Sequence, residues 1–178
     1  MKGVLFNAVE EAVSREWGED MWDDLLDAAN VDGAYTALGN YPDEQLVALA
    51  EAAAERLNAP FEDVLRTLGR ITFVSLLTRY RGHHKEPPSM REFLPTVNDI
   101  IHPEVLKLYP GASVPRFVLR DAGDHLELDY LSVRNMCTLA EGLVLGVADH
   151  YGEPVVVDQP SCKNRGDSRC TIRIKSTT

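Results

Sequence analysis

Tyr130-Leu131-Ser132-Val133-Arg134 sets a phenol, an alcohol and a guanidinium at alternate positions, and on a β-strand alternate side chains share one face. Upstream the same face reads Leu126 and Leu128, so the three donors stand at the end of a buried apolar surface. Donors in that setting suit an anion. Arginine holds a carboxylate or phosphate by two parallel bonds, and hydroxyls serve the remaining oxygen lone pairs. A second segment, Ile101-His102-Pro103-Glu104-Val105, places one histidine in an apolar, helical context. Neutral imidazole is a common metal ligand. Read singly, His102 also fits a core histidine, Arg134 a surface ion pair, and Tyr130 and Ser132 sheet or turn hydrogen bonds. Together the two segments point to a cofactor with a metal and an acidic tail.

Several elements must position these groups. From residue 1 to about 80 apolar residues recur at spacings of three and four (Leu5, Val9 and Val13; Trp22, Leu25 and Leu26; Leu46, Leu49, Ala50 and Ala53), the signature of amphipathic helices. Pro60 opens a helix to Gly69, and another runs from Gly69 to Tyr80. The Arg81 to Pro88 stretch, with His83 and His84, reads as a polar loop to which no chemistry is assigned. Asn98-Asp99 reads as a cap for a short helix ending at Leu108, with Pro103 forcing it to begin near His102 or to bend there. Beyond Pro115 the period changes to a hairpin, Phe117 to Leu119 and Leu126 to Val133, around Asp121-Ala122-Gly123-Asp124. Met136, Leu139, Leu143, Val144 and Val147 then make a helical stripe, in which Gly142 and Gly146 leave room for a close neighbour. Val155 to Val157 and Thr171 to Ile174 finish the chain as strands. The expected class is α+β: a helical N-terminal half joined to a C-terminal half with a small antiparallel sheet.

The 178 residues carry 18 Lys plus Arg against 28 Asp plus Glu, a formal net charge of -10, with 44% hydrophobic residues. That is ordinary for one domain with a real core. An acidic chain without a basic stripe argues against nucleic acid and anionic membrane as partners, and no apolar run approaches the roughly 18 residues of a span. The expectation is a cytoplasmic protein.

The assembled residues resemble the H-NOX family, heme domains that bind nitric oxide or oxygen and are related to the sensor domain of soluble guanylate cyclase. The resemblance runs over essentially the whole chain: Met1-Lys2-Gly3, Tyr35, Tyr41-Pro42-Asp43, Ile101-His102 with Val105, Tyr109-Pro110-Gly111-Ala112, Pro115, and the Tyr130, Ser132, Arg134 triplet. It implies one domain over 1–178, with heme b between a helical distal part (1–63) and a proximal part (64–178). His102 would be the axial ligand of the iron, Tyr130, Ser132 and Arg134 the clamp on the propionates, and Pro115 the residue packed against the porphyrin. Members that hold oxygen stably carry a distal tyrosine five positions past the clamp arginine, and Leu139 stands there in this chain. Leu5, Val9, Val74, Leu139 and Leu143 are expected to line a distal pocket without donors, favouring nitric oxide and carbon monoxide over oxygen. The family mechanism implies that ligand binding weakens the bond between iron and His102, and that the output passes to a separate protein such as a histidine kinase or a cyclic-di-GMP enzyme.

Cys137, Cys162 and Cys170 resemble a subset of the family in which these positions and one histidine hold zinc. Here the matching position is Gln159, and glutamine is a poor zinc ligand. A water, His150 or another residue would have to complete the shell; otherwise the thiols stay free or form a disulfide. The alternatives to a gas-binding module are therefore a thiol or zinc redox sensor built on these cysteines, and a heme enzyme. The second would want a distal acid or base that the matched positions do not supply.

Overall fold

The computed structural model describes residues 1–80 and 87–177, so His83 and His84 lie outside the described residues. Helices α1 (Gly3–Trp17), α2 (Glu19–Ala29), α3 (Asp43–Leu57) and α4 (Phe61–Tyr80) build the N-terminal half. Asn30 and Asn58, both left-handed, end α2 and α3, as short polar side chains that tolerate this conformation do. The half closes on one apolar cluster that includes Phe6, Val9, Trp22, Leu25, Leu46 and Leu49.

Helix α4 is continuous, where the sequence suggested a break at Gly69. Gly69 serves packing instead: a Cβ there would fall on the Leu139 carbonyl of the late helix α7 (Cys137–Tyr151). Gly142 is the reciprocal position, since its Cβ would meet the Arg66 carbonyl. Backbone therefore approaches backbone between α4 and α7, as the glycine spacing in the late stripe suggested. Arg66 Nε donates to Glu141 at 2.7 Å across the same seam.

Between the halves runs α5 (Met90–Thr96), capped by Ser89 Oγ accepting from the Glu92 N–H at 3.2 Å. A π-helical turn (Val97–Ile101) follows, and then α6 (His102–Leu108). Proline at 103 has no N–H to give the preceding turn, and the chain meets that lack with the wider turn just before it. Asn98 is not the cap that the sequence suggested. It lies inside the wide turn, and its amide pairs with both backbone groups of Phe117, accepting from the Phe117 N–H at 3.1 Å.

The sheet comprises β1 (Arg116–Asp121), β2 (Leu126–Leu131), β3 (Val155–Ser161) and β4 (Cys170–Ser176), in the spatial order β1-β2-β4-β3, all antiparallel. One face, with Leu126, Leu128, Tyr130, Ile172 and Ile174, is buried under α7 and α5. On the other, Asp129 is bonded by Arg120 and by the Thr171 hydroxyl. The architecture is α+β, as expected.

Candidate functional site

A cavity of about 280 Å³ opens between α1, α4 and α7 on one side and the His102 segment, the Ala112 to Pro115 loop and the sheet on the other. His102 enters it as the first residue of α6, directly after the wide turn that Asn98 ties to β1. Its ring stacks on Phe117, with centroids 5.8 Å apart and planes at 28°. Its Nδ1 is buried and has no hydrogen-bond partner. Burial pushes the imidazole pKa below its ordinary value, with the Pro115 backbone partly opposing. Burial thus favours the neutral ring, the form that ligates metals.

The clamp residues are arranged differently from a simple strand face. Strand β2 ends at Leu131, so only Tyr130 of the triplet lies in it. Ser132 and Arg134 occupy the bend that leads into α7, which Asn135 leaves with a positive φ of 53°. There the Ser132 Oγ accepts from the Arg134 N–H at 3.1 Å, a local turn that competes with continued strand pairing. Tyr130 and Arg134 line the cavity, whereas Ser132 supports them from beside it. The buried Tyr130 hydroxyl is pushed up in pKa by desolvation, offset in part by hydrogen bonds to the Ser132 side chain and the Met136 backbone. Arg134 Nε donates to Asp43 at 2.7 Å, and its Nη1 donates to the Ser113 carbonyl at 2.6 Å.

Asp43, the first residue of α3, also receives the Met1 ammonium at 2.8 Å. Burial alone would raise its carboxyl pKa, but the two cations outweigh burial and hold it below the ordinary value. Lys2 is buried beside them, its Nζ donating to the carbonyls of Leu38 (2.9 Å) and Pro110 (2.7 Å). The chain terminus thus joins the helical half to the segment just beyond α6. Sequence reading noted Met1-Lys2 and Asp43 but gave them no role, because an ion pair across 91 residues leaves no periodic trace.

The opposite wall is hydrocarbon. Leu5 of α1 and Leu139 and Leu143 of α7 line the cavity as expected, and Pro115 lines it from below. Two expectations need correction. Val74 is 48% exposed and faces away; about 100° per residue separates it from Phe73, and Phe73, Leu76 and Leu77 take the cavity side of α4 instead. Val9 is buried in the helical core rather than at the cavity. Among the described residues, none that line the cavity from α1, α4 or α7 carries a side-chain hydrogen-bond donor.

The three thiols form a separate cluster. Cys137 opens α7, Cys162 follows β3, and Cys170 opens β4; all are buried and free. Their sulfurs lie within 4.8 Å of one another, with Cys137 and Cys162 3.4 Å apart. Burial and the two neighbouring thiols push the Cys137 thiol pKa up. His150 cannot reach this cluster. It sits thirteen residues along α7, roughly 20 Å at 1.5 Å per residue, against Phe73 and Tyr151.

A partnerless buried imidazole nitrogen on one wall, hydrocarbon on the other, and a phenol and guanidinium at the edge fit a heme with its two carboxylates. The comparisons with known proteins agree. A family model described as haem-NO-binding matches residues 2–159. An H-NOX protein from S. oneidensis, crystallised in the Fe(II)NO ligation state, is 29% identical with a TM-score of 0.89, covering 100% of both chains. The H-NOX domain from Shewanella oneidensis solved by NMR in the Fe(II)CO state is 29% identical with a TM-score of 0.87, covering 100% of this chain and 99% of that one. An unliganded Fe(II) H-NOX protein from K. algicida shares the fold at a TM-score of 0.81 and 24% identity, over 100% and 97% of the two chains. The chain is therefore a member of the haem-NO-binding, or H-NOX, family of heme-based gas sensors.

Proposed function

We propose that the chain is a nitric oxide sensor carrying a b-type heme on His102, with Tyr130, Ser132 and Arg134 holding the propionates and Pro115 against the ring. Bound there, ferrous heme supplies one open coordination position for a diatomic gas. The observation that carries this reading is the asymmetry of the cavity: an imidazole whose buried Nδ1 has no hydrogen-bond partner on one side, and hydrocarbon side chains from α1, α4 and α7 on the other.

The distal wall supplies the selectivity. Dioxygen as a ligand draws more electron density than nitric oxide and gains more from a donor, and a buried hydrogen bond is worth roughly 1–3 kcal/mol. Each 1.4 kcal/mol is about tenfold in affinity. Leu5, Leu139 and Leu143 withhold that contact, so oxygen binding is weakened while nitric oxide and carbon monoxide binding is little affected.

Output rests on α6. His102 opens that helix, and Lys2 binds the Pro110 carbonyl just beyond its end. A change in how firmly the imidazole is held shifts α6 between two placements, and a separate partner that binds one of them reads the change. The partner class in view is a histidine kinase or a cyclic-di-GMP enzyme. Protein expressed with adequate heme should purify with one heme per chain, and His102→Gly should lose it unless imidazole is supplied. A colourless unsubstituted protein would overturn the assignment. In the imidazole-rescued variant, gas should still bind while partner regulation disappears; unchanged regulation would contradict the α6 mechanism.

A further inference from the structure

The thiol cluster lies outside the heme cavity, and its donor set is unusual. Structural zinc almost always takes four ligands. Among the described residues, no imidazole or carboxylate joins the three sulfurs. Gln159, at the position where the zinc-holding subset has histidine, donates its Nε2 to Glu141 at 2.7 Å, and Glu141 is already bound by Arg66. The protein therefore supplies only three of the four ligands that a closed structural zinc site takes.

We propose that Cys137, Cys162 and Cys170 form a three-sulfur site for a trivalent thiophilic ion of the arsenic(III) class. Geometry permits it. At metal–sulfur bonds near 2.3 Å, three sulfurs around one ion stand about 3.5–4 Å apart, and here they lie from 3.4 Å to within 4.8 Å of one another. Part of the site is already organised: the Lys163 N–H points at the Cys170 sulfur at 3.3 Å, and the Cys162 N–H donates to Asp167 at 2.7 Å, closing the turn between two of the ligands.

Charge selects among the ions. Three thiolates leave a net charge of -1 on a divalent ion and -2 on a monovalent one, and burying an uncompensated charge is costly. The nearest buried ionic group on α7 is Glu141, one turn beyond Cys137, and it is itself an anion. A trivalent ion leaves no net charge. The reaction balances without an oxidant or a reductant: arsenous acid gives up three hydroxyls, each thiol gives up one proton, three As–S bonds form, and three waters leave with arsenic still trivalent.

Occupancy would be felt at the heme site, on the reading that heme fills the cavity. Cys137 lies three residues after Arg134 and two before Leu139. Fixing its sulfur to Cys162 and Cys170 fixes the junction between the bend that holds Arg134 and the helix that presents Leu139 and Leu143 to the cavity.

The test uses the reduced, heme-loaded full chain with arsenite or zinc at equal concentration. The readouts are elemental analysis after desalting, sulfur-to-arsenic absorption in the ultraviolet, and the count of alkylatable cysteines after denaturation. The expected result is one arsenic per chain, three protected thiols and no displacement by zinc. Each single Cys→Ser variant, with circular dichroism as the folding control, should lose more than the roughly 10- to 100-fold that an outer hydrogen-bond partner contributes to metal affinity. Gln159→His, which restores an imidazole, should shift the preference to zinc. Stoichiometric zinc that excludes arsenite from the unsubstituted chain, thiols left alkylatable, or a Gln159→His variant that gains no zinc would each overturn the proposal. If a Cys→Ser variant does not fold, the protected-thiol count on the unsubstituted chain decides. Arsenite bound with no change in the heme spectrum would leave the site standing and remove its link to the clamp; arsenite bound by a chain that takes up no heme would refute the heme reading alone.

Discussion

On the proposed reading, Leu139, which lines the cavity, is the side chain that withholds a donor from a bound gas. Leu139→Tyr places a phenol at a cavity-lining position, the one where the resemblance puts the tyrosine of the oxygen-holding members. Oxygen affinity should rise by the worth of a buried hydrogen bond, about 1–3 kcal/mol or roughly 5- to 150-fold, with little change for nitric oxide. Gas titration of the ferrous protein checks this. Asp43 makes a second prediction. Its carboxyl binds Met1 and Arg134 and is held below its ordinary pKa. The stability it contributes is therefore complete above the unfolded value of about 3.9 and is lost as pH falls through the lower folded value. Asp43→Asn should cost about 1.5–3 kcal/mol at pH 7 in denaturant unfolding and should flatten the acid limb of the stability curve. His102 has the same sign: a depressed folded pKa means that stability declines as pH drops below about 6.5.

Among the elements, α7 carries the most of the site. It begins at Cys137, presents Leu139 and Leu143 to the cavity, and lies against α4 with backbone nearly touching backbone at Gly69 and Gly142. Gly142→Ala would push its Cβ into the Arg66 carbonyl. We expect a loss of roughly 1–3 kcal/mol in thermal or denaturant unfolding, together with altered gas affinity, because the helix cannot yield without moving its distal leucines. Much at this scale was legible. The late apolar stripe with two glycines gave both the helix and its close neighbour, and the change to period two gave the hairpin. The failures have local causes. Ser132 bonds the Arg134 N–H and ends the strand two residues early. Gly69 reads as punctuation until the neighbour it accommodates is known. Val74 and Phe73 are equally apolar, and only the rotation of α4 separates exposed from cavity-lining.

For the whole molecule, a helical half followed by a mixed half was legible from periodicity, and residue type singled out His102, Tyr130 and Arg134, which line one cavity; the sheet order and the terminal latch were not legible. Strand order depends on which edges meet after collapse, and the bonds from Lys2 to Leu38 and Pro110 join segments 36 and 108 residues apart. Among the described residues, no helix is long and apolar enough to cross a membrane. The sensor reading joins these parts into one device, in which a gas seated against a hydrocarbon wall changes how firmly one imidazole holds the helix it opens. The absorption spectrum of the anaerobically reduced protein, recorded before and after nitric oxide and then in air, tests that claim most directly. A heme band that shifts with nitric oxide but forms no persistent oxygen complex in air is the predicted result. A stable oxygen-bound spectrum, or no heme band at all, would contradict it.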